Sequence, residues 1–570
     1  MRGETMATRP LVRASSGRIV RTVVADQVSS AAANANGVTA ADAERHARYR
    51  ALGWWPGQAL LQRYRDMAKG RGSCLAVVDS RGRQFSHDEL MAAADDLVSD
   101  LLRTGLQAGE VALILLPNWV EWQITFLAVL RIGAIPANLP IRTDAEMLAF
   151  AAGLGSVRVI ITVEGFGNLA LGKLARAAAS ACRHRLDVVT LAEAGTPNAA
   201  LQSDKLPPVA PSINGLDHIM FTSSTTGRPK AVMHSADTLA ALNITFSERF
   251  SLGPDDAIFL ASPLGHSIGA IHGARLSLYN AAPLVLQDSW DPPAALAMIE
   301  DYRCAFTAAA TPFLKDLVDA PWHGAEPKLA PMRWFLCGGT QVPPTLMQAA
   351  QSQFPKTFVT VLWGMTEGGL TTCHADSPED KIQSTAGVGL SGLELRIIDE
   401  QGRGLANDEE GELAMRGPGV FIGYHGQDAF YAKQLTADGF FRTGDLARLD
   451  DEGYVRITGR LKDLIIRGGV NISPVPIEDA LASHPDIAAV AVIGAPDERL
   501  GERICAVIVV AGAAPDLAQL NDYLIACGLP KYHCPESLYL IDAMPMTPAG
   551  KIRKNDLRET LFRAETEMAP

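Results

Sequence analysis

With 570 residues, the chain exceeds what one small core can organise, and two or more domains are expected. Hydrophobic residues at 48% and charged residues at 20% are the proportions of an ordinary globular enzyme, while a net charge of −12 argues against a general nucleic-acid or anionic-membrane surface. No apolar run reaches the length of a membrane span, and the eight cysteines, with no C-x-x-C spacing, read as reduced, mostly buried small hydrophobes of a cytoplasmic protein.

Residues 1–20 read as a loose tail with no apolar h-region of a signal peptide. The run 111–116, ended by Pro117, suits a strand buried on both faces. Asn118 is placed to cap a helix running to Arg131 and stopped by Gly133. Thr143 and Glu146 have the spacing of a capping box, and the β-branched run 157–163 is strand-like. After the apolar residues 219–221 come five hydroxyls in a row (Thr222, Ser223, Ser224, Thr225, Thr226), then Gly227, Arg228, Pro229 and Lys230. Hydroxyls and freed backbone N–H groups can cradle a polyphosphate that Lys and Arg neutralise. The run lacks the G-K-[ST] of a Walker A loop, and a Ser/Thr-rich run taken alone is usually just a solvated loop.

Short strand-like runs follow at 258–262, 281–286, 306–310, 333–337 and 358–362, with helix-like stretches such as 292–300 between several of them. This alternation argues α/β architecture with largely parallel sheets. Past residue 463 the pattern restarts: strands at 488–493 and 504–510, a turn signal at 494–497, and a helix over 515–527. About a hundred residues is a normal size for a separate small domain.

Six motifs stand in order behind this pattern: the 222–230 run, Trp363-Gly364-Met365-Thr366-Glu367, Gly411-Glu412-Leu413 with Gly423-Tyr424, Thr443-Gly444-Asp445, Gly459-Arg460-Leu461-Lys462-Asp463 with Gly468-Gly469, and Pro548-Ala549-Gly550-Lys551-Ile552. Together they resemble the adenylate-forming superfamily of acyl-CoA synthetases, nonribosomal adenylation domains and luciferases, and the resemblance covers nearly the whole chain. The fold it implies is α/β: a large N-terminal domain (21–461) of mixed sheets flanked by helices, a hinge at 462–463, and a small mobile C-terminal α+β domain (464–570).

The resemblance implies a carboxylic acid as substrate, with ATP, Mg2+ and CoA. Thr222, Ser223, Ser224, Thr225, Thr226, Gly227 and Lys230 would hold the β- and γ-phosphates. Ser224 and Ala231 stand where relatives usually have Gly, so loop mobility differs from theirs. Trp363 would stack on adenine, with Gly364 and Met365 beside it in the nucleotide site, although a Trp taken alone reads as core. Thr366 would bond the α-phosphate and Glu367 would ligate Mg2+. Asp445 would accept both ribose hydroxyls, and Arg460 would contact ribose or phosphate. Gly338, Gly339 and Thr340 would line the nucleotide and acyl pocket with backbone. Lys551 would stabilise charge in the transition state of adenylation, while Arg553 and Lys554 read as solvated. Lys462 marks the hinge, and Gly468, Gly469 and Asn471 would shape the thiol's tunnel. His533 stands where many relatives carry Lys.

His266, in the segment 263–267, reads either as a gate to the acyl pocket or as structural. No Asp lies beside it to meet an α-ammonium, which favours an uncharged acyl group. Further lining is expected from Thr307 to Thr311, Trp334 and Gly368 to Leu370, and the small residues Ala308, Ala309, Ala310 and Gly369 favour a bulky or alicyclic acid. The wording around 467–473 resembles medium-chain and cyclic-acid CoA ligases. The second reading is an enzyme that stops at acyl-AMP or hands it to a carrier protein or partner ligase, with a homodimer as one assembly open to it. A non-catalytic protein that kept the fold is the reading from another class; Lys230, Glu367, Asp445, Arg460 and Lys551 argue against it.

Overall fold

The computed structural model describes residues 40–192, 215–222, 229–324, 327–339, 342–546 and 552–567. The tail expected over 1–20, and Ser223, Ser224, Thr225, Thr226, Gly227, Thr340 and Lys551, lie outside them. The described residues form a large N-terminal domain of several sheets and a small C-terminal domain, as the motif order implies.

The run at 111–116 becomes the strand Val111–Leu115, buried at every position. It lies inside a sheet of order Gly423–Tyr424, Lys230–Ser235, Leu216–Thr222, Ile135–Asn138, Val111–Leu115, Val157–Val163, Asp187–Leu191, in which the last five strands run parallel. A second sheet carries six parallel strands from Leu75–Asp79 to Phe358–Met365, with antiparallel strands at both ends. The helix Val120–Ile132 is buried at all thirteen positions because it lies between the two sheets, and it stops at Gly133, whose φ of 78° is the left-handed cap the sequence suggested.

Three local expectations change. Asn118 caps no helix; its amide donates to the carbonyls of Ser262 and Gln287 and its oxygen accepts from the Leu264 amide, so a tertiary tie outcompetes the cap. The helix Ala145–Ala152 is capped by Asp144, not Thr143: the Asp144 carboxylate accepts from the Met147 amide. Residues 494–497 are not a turn but the end of the strand Ile487–Asp497, where Pro496 sits opposite Glu502.

A third sheet, Glu394–Ile398, Gly411–Arg416, Phe441–Leu449 and Val455–Arg460, is wholly antiparallel and carries three of the sequence motifs. The small domain is built on Val470–Ile472, Ile465–Arg467, Gly501–Val510 and Ile487–Asp497, with Ser537–Leu540 added in parallel. The cysteines are free thiols; Cys74 and Cys527 are exposed, Cys182 half-buried and the others buried. Among the described residues no helix is long and apolar enough to cross a membrane.

Arg275, within the wide turn Ala270–Arg275, is buried and bonds Asp217 of the Leu216–Thr222 strand at 2.8 Å. Removing one partner of such a pair strands the other charge in apolar surroundings. Asp217→Ala should therefore cost about 3–5 kcal/mol in urea unfolding, and Asp217→Leu combined with Arg275→Met should recover most of it.

Candidate active site

The strands Leu216–Thr222 and Lys230–Ser235 run antiparallel with Thr222 opposite Lys230. The Lys230 ammonium lies 5.0 Å from the Tyr424 ring centre and 4.4 Å from that of Phe430. Burial lowers its pKa, and the Glu367 charge opposes that shift. Two aromatic faces thus hold the cation without neutralising it.

Thr366 and Glu367 form the turn between Phe358–Met365 and Gly368–Thr372. Gly368, expected to line the acyl pocket, has φ 102°, and a Cβ there would lie 2.3 Å from the Gly419 carbonyl oxygen. Only glycine lets the turn close on that loop. Glu367 is buried, and burial raises its carboxyl pKa. The Tyr424 hydroxyl donates to Glu367 Oε1 at 2.7 Å, and the Phe421 amide donates to the Glu367 carbonyl. The Thr366 carbonyl accepts from His234 Nε2 at 2.7 Å. Tyr424 and His234 were not singled out as site residues. His234 was findable, being four residues beyond Lys230 and on the same face of a two-residue period.

Asp445 is buried in the strand Phe441–Leu449, directly opposite Arg460. Its Oδ1 lies 2.7 Å from Arg460 Nε, and its Oδ2 accepts from Trp363 Nε1 at 2.8 Å. Trp363 is a core side chain whose N–H finds a carboxylate, so its position joins the turn segment to Asp445. The bend before Asp445 is held by Glu412, which accepts from the Gly444 amide and from Arg442, while Thr443 bonds the Leu413 carbonyl. The Gly411-Glu412-Leu413 motif therefore has a mechanical reading: it fixes where Asp445 points. Gly364 is exposed and Met365 half-buried on the same strand.

Gly338 ends the strand Trp334–Gly338, and Gly339 takes φ 89° just beyond it. Thr311 opens the helix Thr311–Asp319, and the Cys337 thiol lies 3.8 Å from its hydroxyl. His266 is half-buried at the start of the Ser267–Gly269 turn, while Gly265 leaves no room for a Cβ against the Pro140 backbone. These residues sit at the carboxyl ends of parallel strands, where open α/β sheets bind ligands. Trp334 and Thr307 do not join them. They lie near the opposite ends of their strands, Trp334 packing between Phe250 and Phe358 and Thr307 bonding the Phe259 carbonyl. Ala309 belongs to the core on the other face of its strand, and Gly369 abuts the Met415 sulfur, so neither adds room for an acid.

Lys462 lies in the single turn Leu461–Asp463 that follows Arg460. Gly468 and Gly469, at φ 57° and 83°, make the tight turn before Val470 and Asn471, packed near Leu500. Lys554 is not solvated: its ammonium pairs with Glu478 at 2.7 Å, both side chains being largely buried.

A magnesium ion fits this chemistry. Tyr424 takes one lone pair of the Glu367 carboxylate, leaving others for a hard cation, and one carboxylate with substrate phosphates is how Mg2+ is commonly held. Two family models match the chain: "AMP-binding enzyme" over residues 64–425 and "AMP-binding enzyme C-terminal domain" over 476–551. The medium-chain fatty-acid–CoA ligase of Escherichia coli is 32% identical over 547 residues, covering 92% of this chain and 94% of that protein. The salicyl-AMP ligase / salicyl-S-ArCP synthetase of Mycobacterium tuberculosis is 32% identical over 533 residues, covering 90% and 92%. Among solved structures, ATP-bound MatB from Rhodopseudomonas palustris superposes with a TM-score of 0.77 at 27% identity, covering 88% of this chain and 98% of that one.

Tyr424→Phe deletes a bond to a charged group worth about 1.5–3 kcal/mol, so the Glu367 carboxyl should become harder to ionise. The acid limb of the rate profile should move to higher pH and the Mg2+ needed for half-maximal rate should rise. Burial also holds His234 at a pKa of about 4 and His272 at about 3, against an ordinary 6.5, and puts His218 well below it. These groups are neutral when folded and gain protons on unfolding, so stability is full above pH 6.5 and lost as pH falls towards 4. The thermal midpoint should drop between about pH 6.5 and 5, above most carboxylate titration, and His272→Gln should flatten part of that slope.

Proposed function

The chain belongs to the AMP-binding enzyme family, and from that premise we propose that it activates an uncharged, bulky or cyclic carboxylic acid with Mg·ATP and transfers the acyl group to CoA. One observation carries this reading: Tyr424 joins Lys230 to the Thr366-Glu367 turn, and Trp363, on the strand leading into that turn, bonds Asp445 beside Arg460. In the first half-reaction a carboxylate oxygen attacks the α-phosphorus, the bond to the β-phosphate oxygen breaks, and pyrophosphate leaves with the electron pair. Positioning and charge stabilisation do most of the work in such transfers.

Asp445 would accept the ribose hydroxyls, held in place by the Trp363 N–H and the Arg460 guanidinium. Thr222 and the hydroxyls that follow would hold the β- and γ-phosphates, and Lys230 would neutralise them. Thr366 would bond the α-phosphate. When bound, Mg2+ supplies charge neutralisation on the phosphates, and Glu367 is the carboxylate that would hold it. Lys551 would stabilise the charge that grows between carboxylate and α-phosphate. In the second half-reaction the thiol sulfur of CoA attacks the acyl carbonyl, the bond to the AMP oxygen breaks, and the thiol proton passes to solvent. Lys462 would be the pivot and Gly468, Gly469 and Asn471 the thiol's path. The acid would enter past His266 and Thr311; the absence of an Asp beside His266 supports an uncharged acyl group.

A second reading hands acyl-AMP to a carrier protein or a separate ligase. It draws on His533, in the Lys531–His533 turn, and on the likeness to a salicyl-AMP ligase.

The deciding assay is pyrophosphate release with Mg·ATP against aliphatic, alicyclic, aryl and polycyclic acids, with and without CoA. Catalytic release only with CoA, and an acyl-CoA mass, supports the ligase; one turnover indifferent to CoA supports the second reading. Lys551→Ala should lower pyrophosphate release at least ~100-fold, a typical loss for removing a transition-state charge stabiliser, while ATP binding measured by calorimetry stays within about threefold.

A further inference from the structure

Alternate residues of the strand Lys230–Ser235 face one way, and three of them touch the candidate site in different fashions. Lys230 lies over the Tyr424 and Phe430 rings. Val232 is the register partner of Tyr424, whose hydroxyl bonds Glu367. His234, fully buried, reaches out of its own sheet to the Thr366 carbonyl, which belongs to the turn of the neighbouring sheet. A carbonyl oxygen only accepts, so Nε2 carries the proton and Nδ1 is left as an acceptor 3.3 Å from the Thr238 hydroxyl. Thr238 is itself fixed, being bonded both ways to Ser235 at the start of the helix Ala236–Phe250. His234 is therefore a rigid strut: one nitrogen beside a helix cap, the other on the peptide oxygen next to Glu367.

We propose that His234 is a positioning residue for the metal-holding turn, setting the Thr366-Glu367 peptide against Lys230 so that carboxylate and ammonium face the same phosphates. The inference rests on the adenylation reading above. The turn hangs from two further points, Tyr424 on the Glu367 side chain and Phe421 on its carbonyl, but among the described residues only His234 fixes the Thr366 carbonyl to the strand that carries Lys230. Loss of such an outer partner of a metal ligand typically costs 10–100-fold in metal affinity or activity. Burial also keeps the imidazole neutral, which suits a single N–H donor.

The test compares His234→Gln with His234→Asn in the full-length protein. Both are buried amides and carry a similar folding penalty. A Gln amide reaches the position of Nε2; an Asn amide reaches only that of Nδ1 and cannot meet Thr366. Two readouts are taken: kcat and KM for pyrophosphate release, and calorimetric binding of a non-hydrolysable ATP analogue over a range of Mg2+ concentrations. The expected result is that Asn raises the Mg2+ half-saturation and lowers kcat by about 10–100-fold with the KM for the acid nearly unchanged, whereas Gln stays within about threefold of the parent in both. Equal behaviour of Gln and Asn, or losses confined to thermal stability, overturns the proposal. If the parent protein fails to bind Mg2+ with the analogue, the adenylation reading falls instead, and this inference with it.

Discussion

Burying the Glu367 carboxylate is the constraint around which the site is arranged. A carboxylate taken from water keeps its charge only if donors and cations surround it. The Tyr424 hydroxyl, the Lys230 ammonium and, further off, the Arg460 guanidinium supply that environment. Each comes from a different segment, so the carboxylate links the strand Lys230–Ser235, the strand Gly423–Tyr424 and the antiparallel third sheet. Gly368 belongs to the same solution, because the turn can present Glu367 inward only if no Cβ stands between it and the Gly419 carbonyl.

Asp445 obeys the same logic with different partners. Its two oxygens are met by an indole N–H and a guanidinium, and the bend that aims it is fastened by Glu412 and Thr443. The third sheet is thus an orienting frame, with a pair of acidic side chains one strand apart: Glu412 spends its charge on structure, and Asp445 keeps lone pairs for a ligand.

Where one element's own residues decide its shape, the sequence was readable. Val111–Leu115 is apolar because both faces are covered, and Gly133 ends its helix because only glycine takes that φ cheaply. The order of motifs likewise foretold a large and a small domain. What escaped were decisions made between distant segments. Asn118 left its helix for carbonyls more than 140 residues away. Pro496 stayed in a strand because Ile487–Asp497 lies at the edge of its sheet, where a missing N–H is tolerated. Lys554 looked solvated until the fold brought Glu478 to it. Tyr424 and Glu412 carry no periodic signal, and the strand period that sets His234 on the face of Lys230 does not name its partner; the roles of His234, Tyr424 and Glu412 are hydrogen bonds to residues 132, 57 and 32 positions away. Ala309 misled for a related reason, since alternation along a strand sends it to the opposite core from Ala308.

The thiols have an experimental consequence. Burial raises the pKa of the Cys304 and Cys337 thiols, and that of Cys337 reaches about 12, which keeps them unreactive as nucleophiles. Cys74 and Cys527 are the exposed thiols, one in each domain. A maleimide pair of fluorophores would find these two first, giving a native spectroscopic ruler between the large and small domains without engineering a single residue.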